Sequence, residues 1–138
     1  MLINFLTDST TLILNNHVIS DFQEGDFIEL SLPNPRTTRQ NGGNNTVSVQ
    51  DPLDANVAQL TVRIVGYGKD DVFLNELGAT VFNASIKRQY SRDSVELWET
   101  WKLENGSQID QPTFTHNNKE ASNVVEYKFE FRNSIREL

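Results

Sequence analysis

Val57-Ala58-Gln59-Leu60-Thr61-Val62-Arg63-Ile64-Val65 reads as the central strand of a β protein. Leu60, Val62 and Ile64 fall on one face and Gln59, Thr61, Arg63 and Val65 on the other, the period-two alternation of a strand with one buried side. Residues 124–132 repeat the pattern: Val125, Tyr127, Phe129 and Phe131 share one face, and Glu126, Lys128, Glu130 and Arg132 the opposite one. In residues 27–32, Ile28, Leu30 and Leu32 line up in the same way until Pro33 and Pro35 end the run.

The breaks between such runs are rich in asparagine, of which the chain has fifteen. Asparagine tolerates left-handed backbone geometry and makes local side-chain turns, so these clusters mark the ends of strands. Thr10 to Leu14 and His17-Val18-Ile19 flank Asn15-Asn16, which predicts a hairpin with a two-residue type I′ turn. Residues 86–90 and 95–103 are two more strands around the polar Ser91-Arg92-Asp93-Ser94, and Asn105-Gly106 reads as a further hairpin break. Along residues 95–103, Trp98 and Trp101 point to opposite faces, one expected in the core and one at a surface. One helix is expected, over residues 71–83, with Asp70 or Asp71 capping its N-terminus and a stripe of Phe73, Leu77 and Val81 beside Leu74 and Phe82. Gly78 inside it would signal close packing against a neighbour.

Residues 33–56 are the longest weakly apolar stretch. Asn41-Gly42-Gly43-Asn44-Asn45 is a strong turn signal, and residues 37–40 and 46–50 are its two arms. A polar, Asn/Gly-tipped hairpin has no way to bury itself on its own domain, so it is expected to find a partner surface on another chain. With no internal repeat and no linker, the expected architecture is one mainly β domain over residues 1–138. It is an antiparallel β-sandwich or partly closed barrel with one flanking α-helix and a long protruding hairpin.

Composition narrows the function. Nineteen Asp and Glu against twelve Lys and Arg give a net charge of −7, the wrong sign for a generic electrostatic nucleic-acid binder. The absence of cysteine removes disulfides, thiol nucleophiles and cysteine-based zinc sites, and two histidines (His17 and His116) are too few for a three-histidine metal site. No apolar run approaches the roughly 18–20 residues of a membrane span, so no membrane insertion is expected. Met1-Leu2-Ile3-Asn4-Phe5-Leu6 lacks a basic n-region and meets Asp8 too early for a signal peptide, which makes cytoplasmic synthesis the expectation.

Catalytic constellations are not evident. Gly66-Tyr67-Gly68-Lys69 lies between a strand and a helix, yet it lacks the phosphate-loop spacing, and Asp70 and Asp71 would repel a phosphate there. Glu96 and Glu99 fall on opposite faces of a strand, and Asp51 and Asp54 flank Pro52 with too few oxygen ligands for calcium. His17 has no evident partner in sequence and reads as a solvated hairpin residue. We therefore expect no enzyme activity, no cofactor and no metal.

Several phrases, taken in order, resemble the tail tube proteins of contractile-tailed bacteriophages. They are Thr10-Thr11-Leu12-Ile13-Leu14-Asn15-Asn16-His17-Val18-Ile19 with Asp21-Phe22, residues 57–64 with the acidic-capped Asp70-Asp71-Val72-Phe73-Leu74-Asn75, residues 86–90, Glu99-Thr100-Trp101-Lys102-Leu103-Glu104-Asn105-Gly106, and Glu126-Tyr127-Lys128-Phe129-Glu130-Phe131. The resemblance covers nearly the whole chain. It implies a structural protein of the virion tail, made in the host bacterial cytoplasm, that self-assembles into stacked hexameric rings. The implied partners are further copies of itself, the tail sheath protein, the tape measure protein, and DNA that passes through the lumen without specific binding. It also implies that a long hairpin reaches the adjacent ring. Here that is the 33–50 segment, with Arg36, Arg39, Gln40, Asn41, Asn44 and Asn45 as its candidate contact residues. Glu126, Lys128 and Glu130 are the candidate lumen-facing residues, and Asp70, Asp71, Phe73 and Leu77 the candidate helix cap and packing residues. Six copies of a −7 chain carry −42, a sign that would keep DNA phosphates from sticking to the wall.

Three other readings fit the same pattern: a type VI secretion tube protein, a tail terminator or baseplate ring component, and a monomeric carbohydrate-binding β-sandwich using Trp98 or Trp101.

Overall fold

The computed structural model describes residues 10–20, 28–50, 52–115 and 123–138. The sequence readings that involve Asp21, Phe22, Phe27, Asp51 and His116, and those on residues 1–9, lie outside these residues. β1 (Thr10–Leu14) and β2 (His17–Ile19) form the first hairpin, followed by β3 (Ile28–Ser31). β4 (Thr38–Asn41) and β5 (Val47–Gln50) form the second, and β6 (Ala58–Val65) leads into α1 (Lys69–Leu77). β7 (Phe82–Arg92), β8 (Val95–Gln108), β9 (Thr113–Thr115) and β10 (Val124–Glu137) complete the order.

Of the two expected architectures, the partly closed barrel is the one observed. All strands except β4 and β5 belong to one antiparallel sheet in the order β2-β1-β7-β8-β10-β6-β3, with β9 continuing the β8 side of β10. β1 and β3 stand five positions apart in that order, about 24 Å if the sheet were flat. Yet Leu12 and Leu14 of β1 share one buried cluster with Ile28 and Leu30 of β3, so the sheet curls around its apolar face. The face read from the sequence as buried is the one that lines this core: Leu60, Val62 and Ile64 of β6 and Tyr127, Phe129 and Phe131 of β10 are at most 1% exposed. Phe82 meets Phe129 and Phe131 edge to face, with ring centres 5.5 and 5.7 Å away.

Three tight hairpin turns use pairs of residues with positive φ: Asn15-Asn16, Asn44-Asn45 and Asp93-Ser94. That geometry matches the twist of the flanking strands. The Ser91–Ser94 break thus narrows to Asp93-Ser94, because Ser91 and Arg92 still pair with Glu96 and Val95.

Two local expectations are corrected. Asn105-Gly106 does not break β8. It forms a bulge, in which Asn83 of β7 faces both Glu104 and Asn105, and the Asn83 side-chain carbonyl accepts the Asn105 N–H at 3.0 Å. The helix spans residues 69–77, not 71–83. Gly78 ends it at φ 51° with open space around its Cα, so the glycine serves as a stop and not as a packing contact. Val81 is consequently exposed and Phe82 belongs to β7. Leu74 and Leu77 supply the buried face of the helix, and Phe73 is half-buried beside them.

An added Cβ at Gly106 would run into the Phe131 ring. Gly106→Ala is therefore expected to cost about 1–3 kcal/mol by overpacking. Gly43→Ala, where a Cβ meets nothing within 4 Å, should stay within about 0.5 kcal/mol of the parent. Urea unfolding of the two variants side by side checks both.

Candidate functional site

The 33–50 segment is an ordered hairpin that stands apart from the core. β4 and β5 form a two-stranded sheet of their own, and all eight of their residues are exposed. Its tip is closed by Gly42 N–H donating to the Thr46 carbonyl at 2.8 Å, and by the Thr46 hydroxyl donating to the Gly43 carbonyl at 2.8 Å. Cross-strand partners share a face. Arg39 opposite Val49 and Asn41 opposite Val47 make one face, while Thr38 opposite Gln50 and Gln40 opposite Ser48 make the other. The two faces therefore differ. One carries a cation and two valines, 47% and 60% exposed, and the other only hydroxyls and amides. Arg36 is exposed on the approach to β4, and Asn44 and Asn45 form the turn.

Glu126, Lys128 and Glu130 come together with charged neighbours on the outer, polar face of β3, β6 and β10. Arg63 donates to Glu126 and to Glu29, both at 3.0 Å. Burial alone would lower the Arg63 pKa, but these two carboxylates outweigh it and hold the guanidinium above its ordinary value. Lys128 Nζ lies 3.8 Å from Glu126, and the Gln59 amide lies 3.5 Å from Glu130. Across this face three carboxylates (Glu29, Glu126, Glu130) meet three cations (Arg63, Lys128, Arg132). The acidity of the whole chain is not expressed here.

Asp70 and Asp71 lie in the first turn of α1, where their charge complements the helix dipole. Neither is the N-cap; Gly68 holds that position with no side-chain cap bond. Their roles are tertiary. Asp70 is fully buried and accepts from the Ser20 N–H at 2.7 Å, and its other oxygen lies 2.7 Å from His17 Nε2. The His17 ring stacks on Phe73 with centroids 4.1 Å apart. The reading of His17 as solvated is corrected: it ties the first hairpin to the helix. Its partner lies 53 residues away, and no local signal could have found it. Asp71 accepts from the Tyr67 N–H at 2.9 Å and from the Tyr127 hydroxyl at 2.6 Å, which fixes the other end of the turn to β10.

Trp101 is 4% exposed and Trp98 56%, as their opposite faces imply. Glu96 and Glu99 also separate. Exposed Glu96 accepts from Gln89 at 2.6 Å, whereas buried Glu99 accepts from Arg136 Nε at 2.8 Å. Among the described residues no group of three or more His, Cys, Asp or Glu is placed to hold a metal.

No family model and no curated protein matches the chain in sequence. Solved structures do match its shape. The sheath/tube terminator of the PVC extracellular contractile injection system superposes at TM-score 0.63, over 99% of this chain and 98% of that one, at 12% identity. The PVC sheath–tube complex gives 0.62 over 96% and 90%, at 12% identity. Hcp1 from Flavobacterium johnsoniae gives 0.51 over 93% and 94%, at 11% identity. The likeness is one of fold. It agrees with the resemblance in the sequence, and it spans both chains almost end to end.

Burial, together with the Asp71 carboxylate that accepts its proton, pushes the Tyr127 hydroxyl well above the usual tyrosine range. An unfolded tyrosine loses its proton near pH 10 while the folded one keeps it, so this residue's contribution falls as pH rises past about 10. Tyr127→Phe should lower stability by about 1.5–3 kcal/mol at pH 7. The variant's stability should also fall less steeply than the parent's above pH 10. Urea titrations from pH 7 to 11 on both proteins measure the two effects.

Proposed function

We propose that this chain is a non-enzymatic structural subunit of a contractile-tail tube. Copies close into hexameric rings, the rings stack through the β4–β5 arm, and the tube lies inside a sheath. In a phage tail it would surround the tape measure protein and later conduct DNA. The observation that carries this reading is the arm itself: eight strand residues with no covering in the monomer, in a chain that shares the fold of tube components. The sheet adds to it. β2 and β3 lie at its two ends with unpaired edges among the described residues, and pairing with neighbouring copies would remove them.

The polar face holding Arg63, Glu126, Lys128 and Glu130 is our candidate for the lumen wall. Its paired, balanced charges would neither grip nor strongly repel a passing polyanion, so easy sliding would come from neutrality and not from the net −7. A terminating ring is the second reading, supported by the likeness to the PVC terminator. It calls for rings that do not extend.

Light scattering coupled to size exclusion, followed by negative-stain microscopy, tests this. A ring near six times 15.7 kDa that grows into long tubes is expected. A persistent monomer would end the proposal, and rings that never extend would favour the terminator. Thr38 and Gln50 pair at the base of the arm, so excising residues 38–50 and joining the ends with two glycines closes the gap. That variant should fold and form rings but no long tubes.

A further inference from the structure

A cleft of about 500 Å³ opens where α1 ends, between that end and the loop from β8 to β9. Asn75 and Gly78 line it from the helix side, and Gln108, Ile109, Asp110 and Gln111 from the loop side. Two features make it electronegative. The helix C-terminus carries the negative end of the macrodipole, and no basic residue sits in its last turn to offset it. The Asp110 carboxylate lines the cleft with no cation partner among the described residues, and no Lys or Arg contributes to the wall. An apolar strip runs alongside, since Ile109 is 42% exposed and Pro112 and Ala79 flank it.

The complement to this surface is present on the same chain, at a place that does not touch it. Residues 33–50 contain two arginines and no acidic residue, so the remainder of the chain carries −9 where the whole carries −7. Arg39 makes no ion pair among the described residues, and it shares its face of the arm with exposed Val47 and Val49. That face pairs one cation with two small apolar groups. The cleft pairs an anionic pole with a short apolar strip.

We infer that the cleft between the end of α1 and the β8–β9 loop is the socket for the arm of a second copy. Arg39 enters against Asp110 and the helix C-terminus, while Val47 and Val49 cover Ile109. The inference rests on the tube reading and names the contact through which successive rings are held. Its occupant is another copy of this chain, because the two surfaces are opposite in charge sign and alike in carrying an apolar strip beside the charge. Opposed charges of this kind set register and reject wrong partners as well as adding affinity.

A charge exchange tests it. Arg39 and Asp110 are both exposed, so neither substitution disturbs the core. Arg39→Glu and Asp110→Arg are each expected to raise the concentration at which long tubes pellet by about tenfold or more, while rings persist on size exclusion. The two single variants shift net charge in opposite directions, so a loss in both is not an effect of overall charge. The double variant, with the charges exchanged and the net charge restored, should recover most of the tube formation. Wild-type tubes together with indifferent single variants overturn this contact alone, and so does a double variant no better than the worse single. A wild-type chain that remains monomeric overturns the tube reading and the contact with it.

Discussion

The fold depends on β10 being covered on one face and paired along both edges at once. Its first half pairs with β6 on one side and β9 on the other, and its second half pairs with β8. That arrangement needs a strand of 14 residues whose apolar face is continuous, and Val125, Tyr127, Phe129 and Phe131 supply it. Each such side chain contributes roughly 1.5–3 kcal/mol on burial. A single polar substitution in this row would therefore cost a sizeable part of the net stability of a domain this small. The Tyr127 hydroxyl is the one polar atom in the row, and it reaches out of the apolar face to Asp71 at the first turn of the helix. The strand that organises the sheet thereby also positions the helix.

A sheet that curls without closing has two ends. Among the described residues it ends at β2 and β3, strands of three and four residues, too short to template uncontrolled pairing with other chains. The β4–β5 arm is longer as a hairpin and fully exposed, yet it carries Arg36 and Arg39, and its tip is Asn/Gly-rich, features that discourage nonspecific strand addition. Both devices fit an assembly in which pairing must occur only with copies in fixed orientations. In such an assembly, short or charged edges would keep lone monomers from pairing at random, and pairing with complementary edges would hold the polymer together.

Strands were legible in the sequence wherever one face is buried, because the alternation of residues 57–65 and 124–132 is then imposed by burial alone. Turns were legible too, since Asn15-Asn16 and Asn44-Asn45 carry the residue that positive φ favours. The helix stops short of the expected residue 83 for a physical reason. Val81 and Phe82 continue the spacing of Phe73, Leu74 and Leu77, but Phe82 belongs to the core from a strand, and the glycine between them ends the helix. Asn105-Gly106 misled in the opposite sense: a turn signal sits inside β8 because Gly106 makes room for the Phe131 ring and Asn83 satisfies the freed N–H. Contacts between distant residues left no trace in local pattern. The His17–Asp70 and Glu99–Arg136 pairs, 53 and 37 residues apart, emerge only when the sheet and helix are assembled.

Charge shows the same limit. A net of −7 describes the chain, but function depends on where the charges sit. On the outer face of β3, β6 and β10, Glu29 and Glu126 are tied to Arg63 and Lys128, so that surface is hydrophilic without being strongly anionic. On the arm the sign is reversed, and at the end of α1 it is negative again. The surface charges differ in setting: Arg39 and Asp110 are exposed, where ion pairs contribute little to the stability of a monomer, and Arg63 with Glu29 and Glu126 is half-buried. Their segregation into a cationic arm, a balanced wall and an anionic cleft is instead what a subunit requires if copies of itself are its principal partners. Attraction must then run between different parts of identical chains, and a uniformly acidic surface would set those chains against one another.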